Sequence, residues 1–185
     1  MNEELPKLID EANAIADDAQ KSFGQLNAQQ LNWRPSANQW SVAQCLEHLI
    51  VINSTYFPIL EGIERDRYKP SIQQRLPLLP RFFAWMVLKA VSPETKSKFK
   101  TAGHVAPSSS TIADDILAKF KAHQQELIRH MKMTEKLDLG NIIITSPVAS
   151  FATYSMLNAF KIAVTHEHRH LLQAKRVTET AGFPS

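Results

Sequence analysis

Apolar positions recur at three- and four-residue steps through most of the chain, the period of a half-buried helix and not of a strand. The first such stripe runs from Glu3 to Phe23 through Leu5, Leu8, Ile9, Ala12, Ile15, Ala16 and Ala19. The connection "NAQQLNWRPSANQ" stops the period with Pro35 and turn-forming asparagines. A second stripe opens at "WSVAQCLEHL", where Ser41 followed by Gln44 is a capping-box pattern, and it continues to Glu64. Pro58 lies inside it and predicts a kink or a local adjustment, because its ring clashes one turn back. The third stripe, Ser110 to Lys136, puts Ile112, Ile116, Phe120, Leu127 and Met131 on one side; the fourth runs from Thr153 to Glu179. "NIIIT" (141–145) is the one β-branched run and is too short to found a sheet. Residues 71–109 form a long crossover between the second and third helices, with a short helix or two in "LPLLPRFFAWMVLKAV". Its two prolines and sparse polar face favour core or dimer packing over a membrane surface. Tyr56, Trp85 and Phe160, at helical spacing, read as core. The expected fold is all-α: a four-helix bundle whose helices are each about 30 to 40 Å long.

Composition narrows this picture without redirecting it. The 185 residues suit one domain, 1–185, with 44% hydrophobic and 21% charged residues, as in an ordinary soluble protein. The acidic start "MNEELPKLIDEANAIADD" lacks the basic and apolar regions of a secretory signal. No apolar run reaches the roughly 18 to 20 residues that span a bilayer. Cys45 is the single cysteine, so no internal disulfide forms and a cytoplasmic location is expected. The net charge of +3 is concentrated: between 75 and 104 six basic residues (Arg75, Arg81, Lys89, Lys96, Lys98 and Lys100) face only Glu94. Such a stretch attracts anionic ligands or is simply solvated. No basic helix with interleaved aromatics accompanies it, so nucleic acid is not an expected partner.

The chemistry is concentrated in "THEHRHLLQ" (165–173), which contains His166-Glu167-x-x-His170. One turn apart and about 40° apart in azimuth, His166 and His170 can both reach one ion, while His168 lies about 200° away and belongs to the surface. Ala159, Ala163, Gln173 and Val177 follow the pair's face, and the small residues leave room for a cavity. The letters match a zinc peptidase motif. However, Gln173 and Arg176 stand where the extended motif needs glycine and histidine, and no sheet is available to align a peptide. A third ligand from another helix is the better route. His48, His104, His123 and His130 are the candidates, and spacing favours His48 only weakly. His48 shares a line with Ser41, Gln44, Ile52 and Thr55, whereas His123 falls on the apolar side of its helix. Cys45 lies three residues before His48, although a buried, inert cysteine is the more frequent outcome. Glu167, about 100° from His166, is not aimed with the pair; it serves as a base or as an outer partner of a ligand imidazole.

"LNWRPSANQWSVAQCLEHL" together with "AVTHEHRHLLQAKRV" resembles the DinB-like, or YfiT-like, superfamily of metal-dependent bundle proteins. The matching positions are Trp40-Ser41, His48-Leu49, His166, His170 and Gln173, and "KFKTAGHVAPSS" and "LDLGNIIITSP" resemble connections in one branch. The resemblance implies an up-up-down-down bundle, often a homodimer, with His48, His166 and His170 as ligands of a divalent ion. Zinc, nickel and iron are all compatible with imidazole. It further implies either an enzyme, a hydrolase or a transferase acting on a small molecule such as a low-molecular-weight thiol, or a non-catalytic, stress-related metal-binding bundle.

Overall fold

A computed structural model describes residues 3–69, 78–95, 101–108 and 111–185. The described chain is mostly helical, with one small two-stranded sheet. Helix α1 (Glu4–Phe23) buries Leu5, Leu8, Ala12, Ile15, Ala19 and Phe23, the stripe the period predicts. The connection after it is more ordered than its composition suggests. A short helix α2 (Ala28–Asn32) forms because the side chains of Asn27 and Gln30 reciprocally cap it.

Helix α3 (Val42–Ser54) starts with the same device: Ser41 Oγ accepts from the Gln44 amide at 3.1 Å, and Gln44 Oε1 accepts from the Ser41 amide at 3.1 Å. Pro58 ends the continuity that the apolar stripe implies. The chain turns at Thr55 and Tyr56 and restarts as α4 (Phe57–Glu64), with Pro58 in the first turn. There its missing N–H leaves no bond unmade.

Within the crossover, α5 (Leu79–Val91) forms and a single 3₁₀ turn spans Gly103–Val105. Helix α6 (Ile116–Met133) follows, then strand β1 (Ile143–Thr145), strand β2 (Thr153–Ser155) and helix α7 (Met156–Thr178). The β-branched run therefore does found a sheet, against expectation: β1 pairs antiparallel with β2, Ile144 opposite Tyr154. Burial explains why so short a ladder persists. Ile144 and Tyr154 are both in the core, and Tyr154 Oη lies 2.6 Å from Tyr56 Oη. Consequently the last helix starts at Met156, capped by Ser155, and not at Thr153.

Helix α3 packs on α6 and α7, and α1 packs on the same two, so the histidine helix α7 lies between α1 and α3. Helix α5 lies against β2 and α7. Its Trp85, expected in the core, is 59% exposed. No described helix is long and apolar enough to cross a membrane.

Candidate metal centre

Helix α3 carries His48 inward beneath its capped first turn, and α7 carries His166 and His170 one turn apart on the side facing it. The three imidazoles meet. One ligand-capable atom from each lies within 4.8 Å of the other two. His166 Nε2 and His170 Nε2 are 2.9 Å apart, and the His48 ring centre lies 5.1 Å from that of His166 and 4.7 Å from that of His170.

The tautomer of His48 is set by its neighbour. Its Nδ1 lies 2.6 Å from the carbonyl oxygen of Val105, so Nδ1 carries the proton and Nε2 keeps its lone pair for the cluster. Trp40 covers this arrangement, stacked on His170 at 5.5 Å and tilted on His48 at 4.9 Å.

Electrostatics favour neutral rings. Burial lowers the pKa of His48, opposed by the Val105 carbonyl. His166 is held well below its ordinary value by burial first and then by His170, His48 and Arg169. His170 falls to about 3, again mainly through burial, with Gln173 acting weakly in the other direction. Neutral imidazoles are the form a metal ion binds. Tetrahedral zinc would set nitrogen atoms about 3.4 Å apart. The pair on α7, 2.9 Å apart, is inside that spacing, and all three atoms lie within 4.8 Å of one another, so the rings must adjust to share an ion. The donor set fits a divalent ion.

Other sequence candidates do not join the cluster. His104 is exposed, although its neighbour Val105 supplies the carbonyl on His48. His130 is fully buried against Glu64, 2.5 Å away, and His123 stacks on Phe57 at 5.1 Å. His168 points outward to Glu11 at 3.8 Å. Cys45 is buried among apolar side chains, and burial pushes its thiol far above the ordinary range, as befits an inert cysteine. Ala159 and Ala163 border a cavity with Asn53, Tyr56 and Phe160, but no histidine lines it and it is only about 10 Å³, the space of one water molecule.

Glu167 is fully buried and turned away from a catalytic position. Its carboxylate accepts from Asn53 Nδ2 at 2.7 Å and Gln124 Nε2 at 3.1 Å, joining α7 to α3 and α6. Burial raises its pKa to about 8 despite these two bonds. A carboxyl group engaged in the core is not a peptidase base. Asn53 and Gln124 had a readable signal, a polar residue on an apolar helical face, which histidine spacing does not detect.

His123 makes a testable contribution to acid stability. Burial depresses its pKa from 6.5 to about 4, and its Nε2 has no hydrogen-bond partner among the described residues. The unfolded chain therefore binds the proton more readily between these values, and stability falls as pH drops through that window. His123→Leu is expected to remove about 2–3 kcal/mol of the loss between pH 7.5 and 4.5. Urea midpoints at the two pH values measure it; an unchanged pH dependence would contradict the assignment.

Against this geometry, residues 13–174 match the DinB superfamily. The chain belongs to the DinB superfamily. It is also similar to the uncharacterized protein YuaE of Bacillus subtilis (strain 168), 23% identical over 155 residues, which cover 83% of this chain and 86% of YuaE. No solved structure matches. The superfamily match spans both halves of the centre, His48 on α3 and the pair on α7, and supports reading them together.

Proposed function

We propose that His48, His166 and His170 hold one divalent ion, of zinc, nickel or iron, and that the centre serves a reaction on a small molecule. The observation that carries this reading is the convergence of three neutral imidazoles from two helices on one point. Three protein ligands leave a coordination position open, as in catalytic and not in closed structural sites. A bound ion would supply Lewis acidity, favouring the ionised form of water or of a thiol at neutral pH.

The chain's own residues prepare that chemistry. Val105 holds the His48 ring in one tautomer, and Trp40 shields the ligand rings. Arg169, beside the ligand pair, adds positive potential that suits an anionic substrate. The reaction classes in keeping with this are hydrolysis and transfer to the sulfur of a low-molecular-weight thiol. The cavity beside Asn53 is too small for either substrate, so the substrate meets the open side of the cluster. The reading includes a single domain folded as an up-up-down-down four-helix bundle of α1, α3 with α4, α6 and α7. It also includes a cytoplasmic location and a homodimer.

The alternative is a non-catalytic, stress-related metal-binding protein, favoured by the lack of a described base beside the imidazoles once Glu167 is engaged in the core. Turnover separates the two. Metal-loaded protein offered a panel of thiols and electrophiles is expected to exceed the metal-free control with at least one pair. No excess with any pair, at full metal occupancy, would leave the non-catalytic reading.

A further inference from the structure

Helix α5 is apolar on both sides, and only one side is packed. Ala84 is buried, and Phe83, Val87, Leu88 and Val91 pack against the core. On the opposite side Leu78, Phe82, Trp85 and Lys89 follow one another at steps of four, three and four residues, which is a single helical stripe. Leu78 is 75% exposed, Phe82 53% and Trp85 59%. Phe151, 66% exposed, meets Phe83 with ring centres 5.8 Å apart, and Phe83 in turn meets Phe82 at 5.5 Å, so it borders the rim of this face. Large apolar side chains grouped in this way mark an interaction surface.

Charge indicates the kind of partner. Arg81 is exposed beside the stripe, and Lys89 Nζ sits 5.2 Å over the Trp85 ring. Between 78 and 93 there is no aspartate or glutamate. The helix therefore combines aromatic rings, leucines and two cations and carries no carboxylate of its own, the nearest in sequence being the exposed Glu94 beyond its end.

We propose that this face of α5 docks the protein on an anionic phospholipid surface. The helix lies flat, with Phe82 and Trp85 at the boundary between headgroups and acyl chains. Arg81 and Lys89 reach the lipid phosphates, their aliphatic stems lying along the apolar surface. Thirteen residues give about 20 Å of helix, too short to span a bilayer but enough to lie on one. A second copy of the chain fits less well. A two-fold contact sets the same patch against itself, so Arg81 and Lys89 of both copies would crowd together with no carboxylate on either helix to offset them. A homodimer then uses another face. Arg169 on α7 donates to the carbonyls of Ala90, Ser92 and Thr95 at and just beyond the end of α5, which ties the docking helix to the histidine helix.

The test is co-sedimentation of the full chain with vesicles of phosphatidylcholine alone or mixed with phosphatidylglycerol. Binding is expected to the mixed vesicles and to weaken with salt. Arg81→Ala with Lys89→Ala should weaken it about 25-fold, from about fivefold per charge removed near a surface. Phe82→Ser with Trp85→Ser should weaken it by about tenfold or more through lost apolar burial, with helix content unchanged. Quenching of tryptophan fluorescence by brominated lipid should disappear in Trp85→Phe, although Trp33 and Trp40 remain. Three results would overturn the proposal: no binding to anionic vesicles at low salt, binding indifferent to both double variants, or a wild-type dimer that Phe82→Ser with Trp85→Ser turns into a monomer.

Discussion

Glu167→Ala is expected to be about 3–5 kcal/mol less stable than Glu167→Gln. Both variants lack the ionisable group, so their difference isolates hydrogen bonding and volume. In the alanine variant the side-chain amides of Asn53 and Gln124 lose their shared acceptor inside the core, and a cavity opens between α3, α6 and α7. Glutamine keeps the volume. It still accepts from Asn53, and a flip of the Gln124 amide presents Oε1, which is unpartnered among the described residues, to its new donor in exchange for the 3.2 Å bond from Gln124 Nε2 to the Ala12 carbonyl. Denaturant titration of the two proteins gives the difference directly. Equal stabilities would mean that the carboxylate is not the joint between these helices, and would reopen a role for it at the metal centre.

A divalent ion at about 100 times its dissociation constant should stabilise the folded protein by about 2.7 kcal/mol, because the unfolded chain offers no assembled site. For a domain of this size that is a rise in Tm of about 5–11 °C. His48→Ala is expected to lose nearly all of that increment. The reason is geometric: α7 alone supplies two ligands, and the third comes from a helix more than a hundred residues earlier in the chain. Loss of merely an outer partner of a ligand imidazole typically costs 10–100-fold in metal affinity, so loss of a ligand should exceed about 100-fold. The metal-dependent increment is the readout, not the absolute Tm, because His48→Ala also removes a buried ring and its bond to Val105. An undiminished increment would separate His48 from the ion.

The elements legible in the sequence are those whose causes are local. The α1 stripe and the Ser41–Gln44 cap depend on residues three or four apart, and both are found where the period puts them. The same holds for the α7 pair, whose meeting follows from one helical turn. The choice among four upstream histidines does not. Whether His48 or His123 faces α7 depends on how α3 and α6 are rotated in the packing, which no short window encodes. Only the likeness to a known superfamily singles out His48. Two errors have the same origin. Strands β1 and β2 are three residues each, below the length at which alternation separates a strand from a loop, and they owe their stability to the distant Tyr56. Trp85 lies on a helix with large apolar residues on opposite sides, so its period does not tell which face is left exposed. Asn53 and Gln124 carry a legible signal: each interrupts an apolar face, as a polar side chain does when its partner is also buried.

The reading of the centre depends on His48, His166 and His170 sharing one ion. Elemental analysis of the purified wild type beside His48→Ala and His170→Ala tests it most directly. The expected result at neutral pH is about one divalent ion per wild-type chain and almost none in either variant. Undiminished stoichiometry in both variants would contradict the account.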